Sequence, residues 1–240
     1  AFLQKGPEAA LAALDQERSY QLWSNRPARA ALQACTDAHQ FMTHLVFPNG
    51  VPTDAPAIWI DHTPVNFEDF QMLRQVFPEA RFVNLVRDGR AVFASVRGLE
   101  WGPSNPIHAS RWWAARSAPG LAAGLTFPDQ CLTARYEDLA RGDLTAWSRL
   151  LGFLTGDPNR TVTQDELMAE SGFALPDFTR HQHQMVGQAP SAASTDRWRT
   201  ALTPRDIEIF EAGTGGALLE TLGYDRVFPQ ARAPRRNERI

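Results

Sequence analysis

Apolar and polar positions fall into two textures along the chain. The first third reads helical. PEAALAALDQERSYQLW (7–23) is rich in Ala, Leu and Glu, which favour helix. RPARAALQACTDAHQFMTHLVF (26–47) predicts a second helix, closed by Pro48. PNGVPTDAP is all turn residues and predicts a loop. The texture then changes to short apolar runs rich in β-formers. AIWI (57–60), RFVNLV (81–86) and CLTARY (131–136) predict three buried strands. Helical stretches separate them: NFEDFQMLRQVF with Asn66 as N-cap, GRAVFASVRGL with Asp88 as N-cap, and HASRWWAARSAPGLAAGL, broken at Pro119-Gly120. LTAWSRLLGFL predicts a helix ended by GDPN, and Glu166 after Thr163 predicts a capping box. TPRDIEIFEAGTGGALLETLGY predicts one late helix, with Thr203 as N-cap, Pro204 in the first turn and Asp206 at the positive end. Strand–helix alternation is the signature of a parallel α/β sheet whose strands are covered on both faces.

Composition narrows the class. The chain has 240 residues, 43% of them hydrophobic, which suffices for one domain over 1–240 with a sizeable core. The formal charge of −3 gives no global basicity for nucleic acid. RAPRRNERI at the end is basic but poor in apolar residues, so 228–240 reads as a mobile tail. Two cysteines make no disulfide framework, though one bridge stays open, and no metal-ligand spacing is visible. No stretch reaches the ~20 apolar residues of a membrane span. No targeting segment is seen, so the expected compartment is the cytoplasm unless an anchor lies upstream.

Candidate chemistry gathers where an apolar run stops at a charge. Ligands of parallel α/β proteins sit at the carboxyl ends of the strands. Arg87 ends RFVNLV, Asp88-Gly89 turn the chain into a helix, and Ser95 follows eight positions after Arg87. An arginine, a helix N-terminus and a hydroxyl suit a phosphate. A salt bridge from Arg87 to Asp88 or Glu137, with Ser95 as a small packing residue, explains the same residues without a ligand. His62 follows the first strand run, flanked by Asp61 and Pro64. The tryptophans of EWGPSNPIHASRWW line an acceptor cleft on one reading. On another they are core, with one ring of Trp112 and Trp113 inward and one at the edge.

FPEARFVNLVRDGRAVFASV resembles the stretch with which sulfotransferases bind the 3′-phosphate of 3′-phosphoadenosine 5′-phosphosulfate (PAPS). It looks most like the tyrosylprotein sulfotransferases and their bacterial relatives. TARYEDL resembles the family's Tyr-bearing strand end, LLGFLTGDP the helix after it, and DRWRTALTPRDIEIFEAGTGGALLETLGYD its closing segment. The similarity covers roughly residues 57–226. It implies a P-loop-NTPase-like parallel sheet flanked by helices and transfer of a sulfuryl group from PAPS to a hydroxyl or amine, leaving PAP. It also implies roles: Arg87 and Ser95 on the 3′-phosphate, Tyr136 on the adenine, and Ser194 and Arg197 near the nucleotide phosphates. His62 takes the catalytic position, with the 25-residue step to Arg87 of the tyrosylprotein type. As imidazole it would take the acceptor's proton, and as imidazolium it would stabilise the leaving phosphate. Asp61 would orient it or be the base itself.

The family's glycine-containing loop for the 5′-phosphosulfate has no counterpart here: neither G-x-x-x-x-G-K-[ST] nor Arg-Ser-Gly-Thr-Thr occurs. The sheet is therefore expected to lack its N-terminal P-loop strand, with that strand upstream of this chain. The acceptor class is open between a small molecule, a glycan and a peptide. Two rivals stand beside this reading: a relative that binds nucleotide without turnover, and a kinase on a similar fold.

Overall fold

The computed structural model describes residues 2–16, 29–50, 60–63, 66–169, 192, 195–235 and 238. The chain divides into two compact units, Ala1–Ala80 and Arg81–Ile240.

The first unit is helical among its described residues. Helix α1 (Phe2–Leu14) bends at Gly6, whose φ of 74° lies in the left-handed region that glycine tolerates. Residues 26–47 do not form the single helix expected. They form α2 (Arg29–Gln33) and α3 (Ala38–Val46), because the Asp37 carboxylate accepts the Gln40 N–H and starts a new helix. Leu11, Leu32, Cys35, Phe41 and Leu45 close the core between these helices. Helix α4 (Phe70–Val76) begins later than expected. Asn66 is not its N-cap; its side-chain amide donates to Asp61 instead, at 3.1 Å. Residues 57–59 of the first strand run lie outside the described residues, and Ile60 is 66% exposed and in no strand.

The second unit holds the α/β architecture. Strand β1 (Phe82–Val86) leads into α5 (Gly89–Val96), then α6 (Pro106–Thr126), β2 (Cys131–Arg135), α7 (Tyr136–Ala140) and α8 (Leu144–Thr155). β1 and β2 pair in parallel, Phe82 opposite Cys131 and Val86 opposite Arg135, so both strands end at one edge. Further on come α9 (Gln164–Met168), α10 (Trp198–Ala201), α11 (Pro204–Ala212) and α12 (Thr214–Thr221). Val86, Phe93, Trp113, Trp198, Phe210 and Leu219 form the main core under α5, α6, α11 and α12. Each such side chain contributes about 1.5–3 kcal/mol by leaving water. Both cysteines are free thiols, and burial pushes Cys131 up to about 11.

Two expectations about helices are corrected by contacts distant in sequence. Helix α6 runs unbroken through Pro119-Gly120. Gly120 is there because α6 presses onto β1: a Cβ at this position would sit 2.3 Å from the Asn84 side-chain oxygen. The late helix is in fact two. The Ser110 hydroxyl of α6 enters the break, donating to the Phe210 carbonyl at 3.0 Å and accepting the Gly215 N–H at 2.8 Å. A Cβ on Gly213 would strike that hydroxyl at 2.5 Å. The capping box predicted at Thr163/Glu166 forms, and Thr203 caps α11 as predicted, completing a second box with Asp206.

The C-terminal stretch expected to be mobile carries ion pairs. Glu208 of α11 holds Arg232 and Arg205, each at 2.7 Å, and Arg205 also holds Glu238. Hydrogen bonds from Arg232 outweigh the opposing effect of desolvation, with Arg205 adding to them, and keep the Glu208 carboxyl down at about 2 against an ordinary 4.5. The folded state thus resists protonation of Glu208 more than the unfolded chain does. Its stabilising contribution is complete above about pH 4.5 and is lost as pH falls towards 2. Limited proteolysis across this window should leave the segment after Phe228 protected at neutral pH and cut at acid pH before the core unfolds. Equal cutting at both ends of the window would contradict these contacts.

Candidate functional site

Because β1 and β2 pair in parallel with Val86 opposite Arg135, the next residues, Arg87 and Tyr136, leave the sheet side by side. The Arg87 guanidinium lies over the Tyr136 ring, 4.7 Å from its centroid. Both are partly buried. The Arg87 carbonyl accepts the Trp113 indole N–H at 3.2 Å, which fixes the backbone beneath the side chain.

Asp88 and Glu137, the acids nearest this pair in sequence, belong to a buried network. Asp88 caps α5 by accepting the Arg90 N–H at 2.8 Å, and it grips the Arg90 guanidinium through both oxygens, at 3.0 and 2.7 Å. The other side of that guanidinium meets Glu211. Arg90 is 2% exposed, and Trp198 covers it, 4.1 Å from ring centroid to guanidinium. Glu211 also accepts the backbone N–H groups of Val227 and Phe228. Glu137 accepts the Asp88 N–H at 2.9 Å and the Tyr224 hydroxyl at 2.8 Å. Burial first, then the Glu137 charge and hydrogen bond, push the Tyr224 hydroxyl far above its ordinary range, so it stays a donor. Arg135 lies over the Tyr224 ring at 4.3 Å and donates to the Gly223 carbonyl at 3.0 Å.

This arrangement corrects one expectation. The positive end of α5 is not an open anion site, because the Asp88 carboxylate occupies it. An anion here would meet side chains rather than helix amides. Gly89 is demanded by packing: a Cβ would lie 2.4 Å from the Trp113 ring.

The other sequence candidates are placed less closely together. Ser95 is exposed on α5. Arg197 is exposed and precedes α10, which is joined to α5 where Arg97 donates to the Ala201 carbonyl at 3.0 Å. Ser194 lies outside the described residues. His62 is exposed and falls in the first unit, while Arg87 falls in the second. Asp61 does not grip His62 by a hydrogen bond. Its oxygens accept from the Thr63 N–H at 3.0 Å, the Thr63 hydroxyl at 2.7 Å and Asn66. Partial burial opposes ionisation, but the Thr63 and Asn66 bonds and the His62 charge outweigh it and hold the Asp61 carboxyl below its ordinary range. These bonds tie Asp61 into the turn at Thr63 and Asn66.

Beside the strand ends, a cleft of about 410 Å³ runs along β2 from Leu132 to Arg135, bounded by Val86, Leu222 and Arg149. Among the described residues no group of three His, Cys, Asp or Glu side chains is arranged to hold a metal ion. No described helix is long and apolar enough to cross a membrane.

Sequence reasoning missed Arg90, Glu137, Glu211 and Tyr224 as one assembly. The available signal was charge in apolar company: Arg90 two residues after Asp88, and Glu208 and Glu211 inside IEIFEA. The motifs that resemble the sulfotransferases are the ones this network joins. RDGR supplies Asp88 and Arg90, YEDL supplies Glu137, and the closing segment supplies Glu211 and Tyr224.

Removing Arg90 leaves two buried carboxylates without their cation, so Arg90→Ala should lower stability by about 3–5 kcal/mol. Tyr224→Phe deletes one donor to Glu137 and should cost about 1–3 kcal/mol. Urea unfolding at neutral pH measures both. A loss below about 1 kcal/mol for Arg90→Ala would contradict a buried cluster that holds the strand end.

A comparison with known protein families matches residues 4–157 to the sulfotransferase family. The match takes in the helices before residue 57, which the motif reading left out, and stops before the closing segment. No curated protein matches the chain. With well over half its length matched, together with an α/β unit whose parallel strands lead directly into Arg87 and Tyr136, the chain belongs to the sulfotransferase family.

Proposed function

We propose that the protein transfers a sulfuryl group from PAPS to an acceptor hydroxyl or amine, on a P-loop-like sheet of which β1 and β2 are one part. The observation that carries this reading is the Arg87–Tyr136 pair, a guanidinium laid on a phenol ring at the carboxyl edge of a parallel sheet. These residues fit an adenosine 3′-phosphate. A planar cation with part of its hydration removed suits a phosphate, and an aromatic ring beside it suits a base.

When bound, PAPS supplies the activated sulfuryl group, whose bond to the 5′-phosphate breaks as the acceptor oxygen or nitrogen bonds to sulfur. Arg87 and Ser95 bind the 3′-phosphate, and Tyr136 orients the adenine. Arg197, exposed at the start of α10, adds positive charge for the nucleotide phosphates, with Ser194 three positions before it in sequence. His62 accepts the acceptor's proton, a role supported by its exposure and by the 25-residue step to Arg87. That step also supports a kinship with the tyrosylprotein type.

Calorimetric titration with PAP tests the reading. The chain should bind PAP, and Arg87→Ala should weaken binding by about 1.5–3 kcal/mol, the range for a hydrogen-bonded phosphate contact. Arg87 is only partly buried and Asp88, not Arg87, caps the helix, so the variant should fold. Equal affinity in both proteins would overturn the assignment of the 3′-phosphate site.

A further inference from the structure

Residues 226–235 follow α12 without regular secondary structure, yet one face of α11 binds them at several points. Arg205, Glu208 and Glu211 stand three positions apart and so share that face. Glu208 accepts the Arg232 N–H at 3.2 Å and the Arg232 guanidinium at 2.7 and 3.2 Å. Arg205 donates to the Arg232 and Ala233 carbonyls at 3.3 and 3.2 Å. Glu211 accepts the Val227 N–H at 3.0 Å and the Phe228 N–H at 2.7 Å, and the Phe228 side chain packs against the main core. Arg226 donates to the Glu211 carbonyl at 3.0 Å. Glu211 is the junction. It is 1% exposed, and the same carboxylate holds Arg90, which in turn holds Asp88. Asp88 follows Arg87 directly and caps α5. This buried acid is thus satisfied from two sides, by two N–H groups of the segment after α12 and by the first turn of α5.

We propose that residues 226–235 form a strap that positions Arg87. Seated on α11, the strap holds the β1–α5 turn rigid for the nucleotide's 3′-phosphate; lifted, it loosens that turn. The binding half of the proposal rests on the nucleotide reading above. Lifting the strap takes two donors from Glu211 and opens that side of the cluster to water. Water competes for the carboxylate and raises the local dielectric, so the attraction between Glu211 and Arg90 weakens. Arg90 is then held chiefly by Asp88, which lies on the same turn and cannot anchor it to α11. A turn that must be ordered again on binding costs affinity. The coupling is reciprocal, so a nucleotide that orders the turn seats the strap more firmly. Arg232 is where the strap can be loosened without touching the core: its side chain is 75% exposed, and its guanidinium meets Glu208.

The experiment measures amide hydrogen exchange by NMR and PAP affinity by calorimetry on the full chain, as wild type, Arg232→Ala and Arg232→Lys. Arg232→Ala should speed exchange at Val227 and Phe228 by about fivefold or more. The amides of Asp88, Arg90 and Val92, which bond within the turn and to Glu137, should quicken with them. Amides of α8, which stands outside the cluster, should keep wild-type rates. PAP affinity should fall about threefold or more, and Arg232→Lys, which keeps a cation on Glu208, should recover most of both effects. PAP added to the wild type should slow exchange at Val227 and Phe228. Faster exchange confined to the strap would overturn the proposal, as would wild-type PAP affinity in a variant whose strap is loosened. Faster exchange in α8 as well would mark general destabilisation and overturn it too. If none of the three proteins binds PAP, the nucleotide reading falls. Turn amides that quicken with the strap would then still uphold the positioning role, and unchanged ones would overturn it.

Discussion

A single buried guanidinium organises the second unit. Arg90 sits between Asp88 and Glu211 with almost no access to water, and its ring cover is Trp198. A lone charge there would be costly, but each member of the cluster is matched. Asp88 also caps α5, and Glu211 also receives two backbone N–H groups. The cluster joins elements far apart in sequence: the β1–α5 turn, helix α11 and the chain beyond α12. Glu137 and Tyr224 extend it to the end of β2. The strand ends are thus set by polar bonds with strict geometry, and the apolar core of Phe93, Trp113, Phe210 and Leu219 packs around them. Such a cluster adds specificity of arrangement more surely than net stability.

The same interaction shapes the site. A helix N-terminus after a parallel strand is ordinarily a place for an anion. Here Asp88 fills it, and in the proposed function that role falls to the side chain one residue earlier. Arg87 projects from the edge of the sheet onto Tyr136, while its backbone is held by Trp113. One short sequence, Arg-Asp-Gly-Arg, therefore divides its labour. The first arginine faces outward, the aspartate closes the helix, the glycine admits the Trp113 ring, and the second arginine locks the turn to α11.

What was legible in the sequence was local. β1 and β2 are short apolar runs, Asp88 precedes a helical pattern, and the boxes at Thr163 and Thr203 announce their own helices. The sequence places Arg87 and Tyr136 each at a strand end, and the parallel register of β1 and β2 is what brings them together. The misreadings were failures of range. Nothing near Gly213 tells that Ser110, more than a hundred positions earlier, enters there and splits the late helix. Nothing near Pro119-Gly120 tells that Asn84 presses against Gly120 and that packing carries α6 through a weak spot. Arg90 looked like an ordinary helix residue because Glu211 is 121 positions away. The family match over residues 4–157 likewise reaches into helices that contain no recognisable motif.

The central claim is that the edge formed by Arg87 and Tyr136 reads a 3′-phosphate. The most direct test compares PAP with adenosine 5′-phosphate, which lacks that group, in competition calorimetry on the wild-type chain and on Arg87→Ala. The account predicts that the wild type prefers PAP by at least about tenfold and that Arg87→Ala erases the preference by weakening PAP alone. A wild type that does not distinguish the two nucleotides, or a variant that keeps the preference, would contradict it.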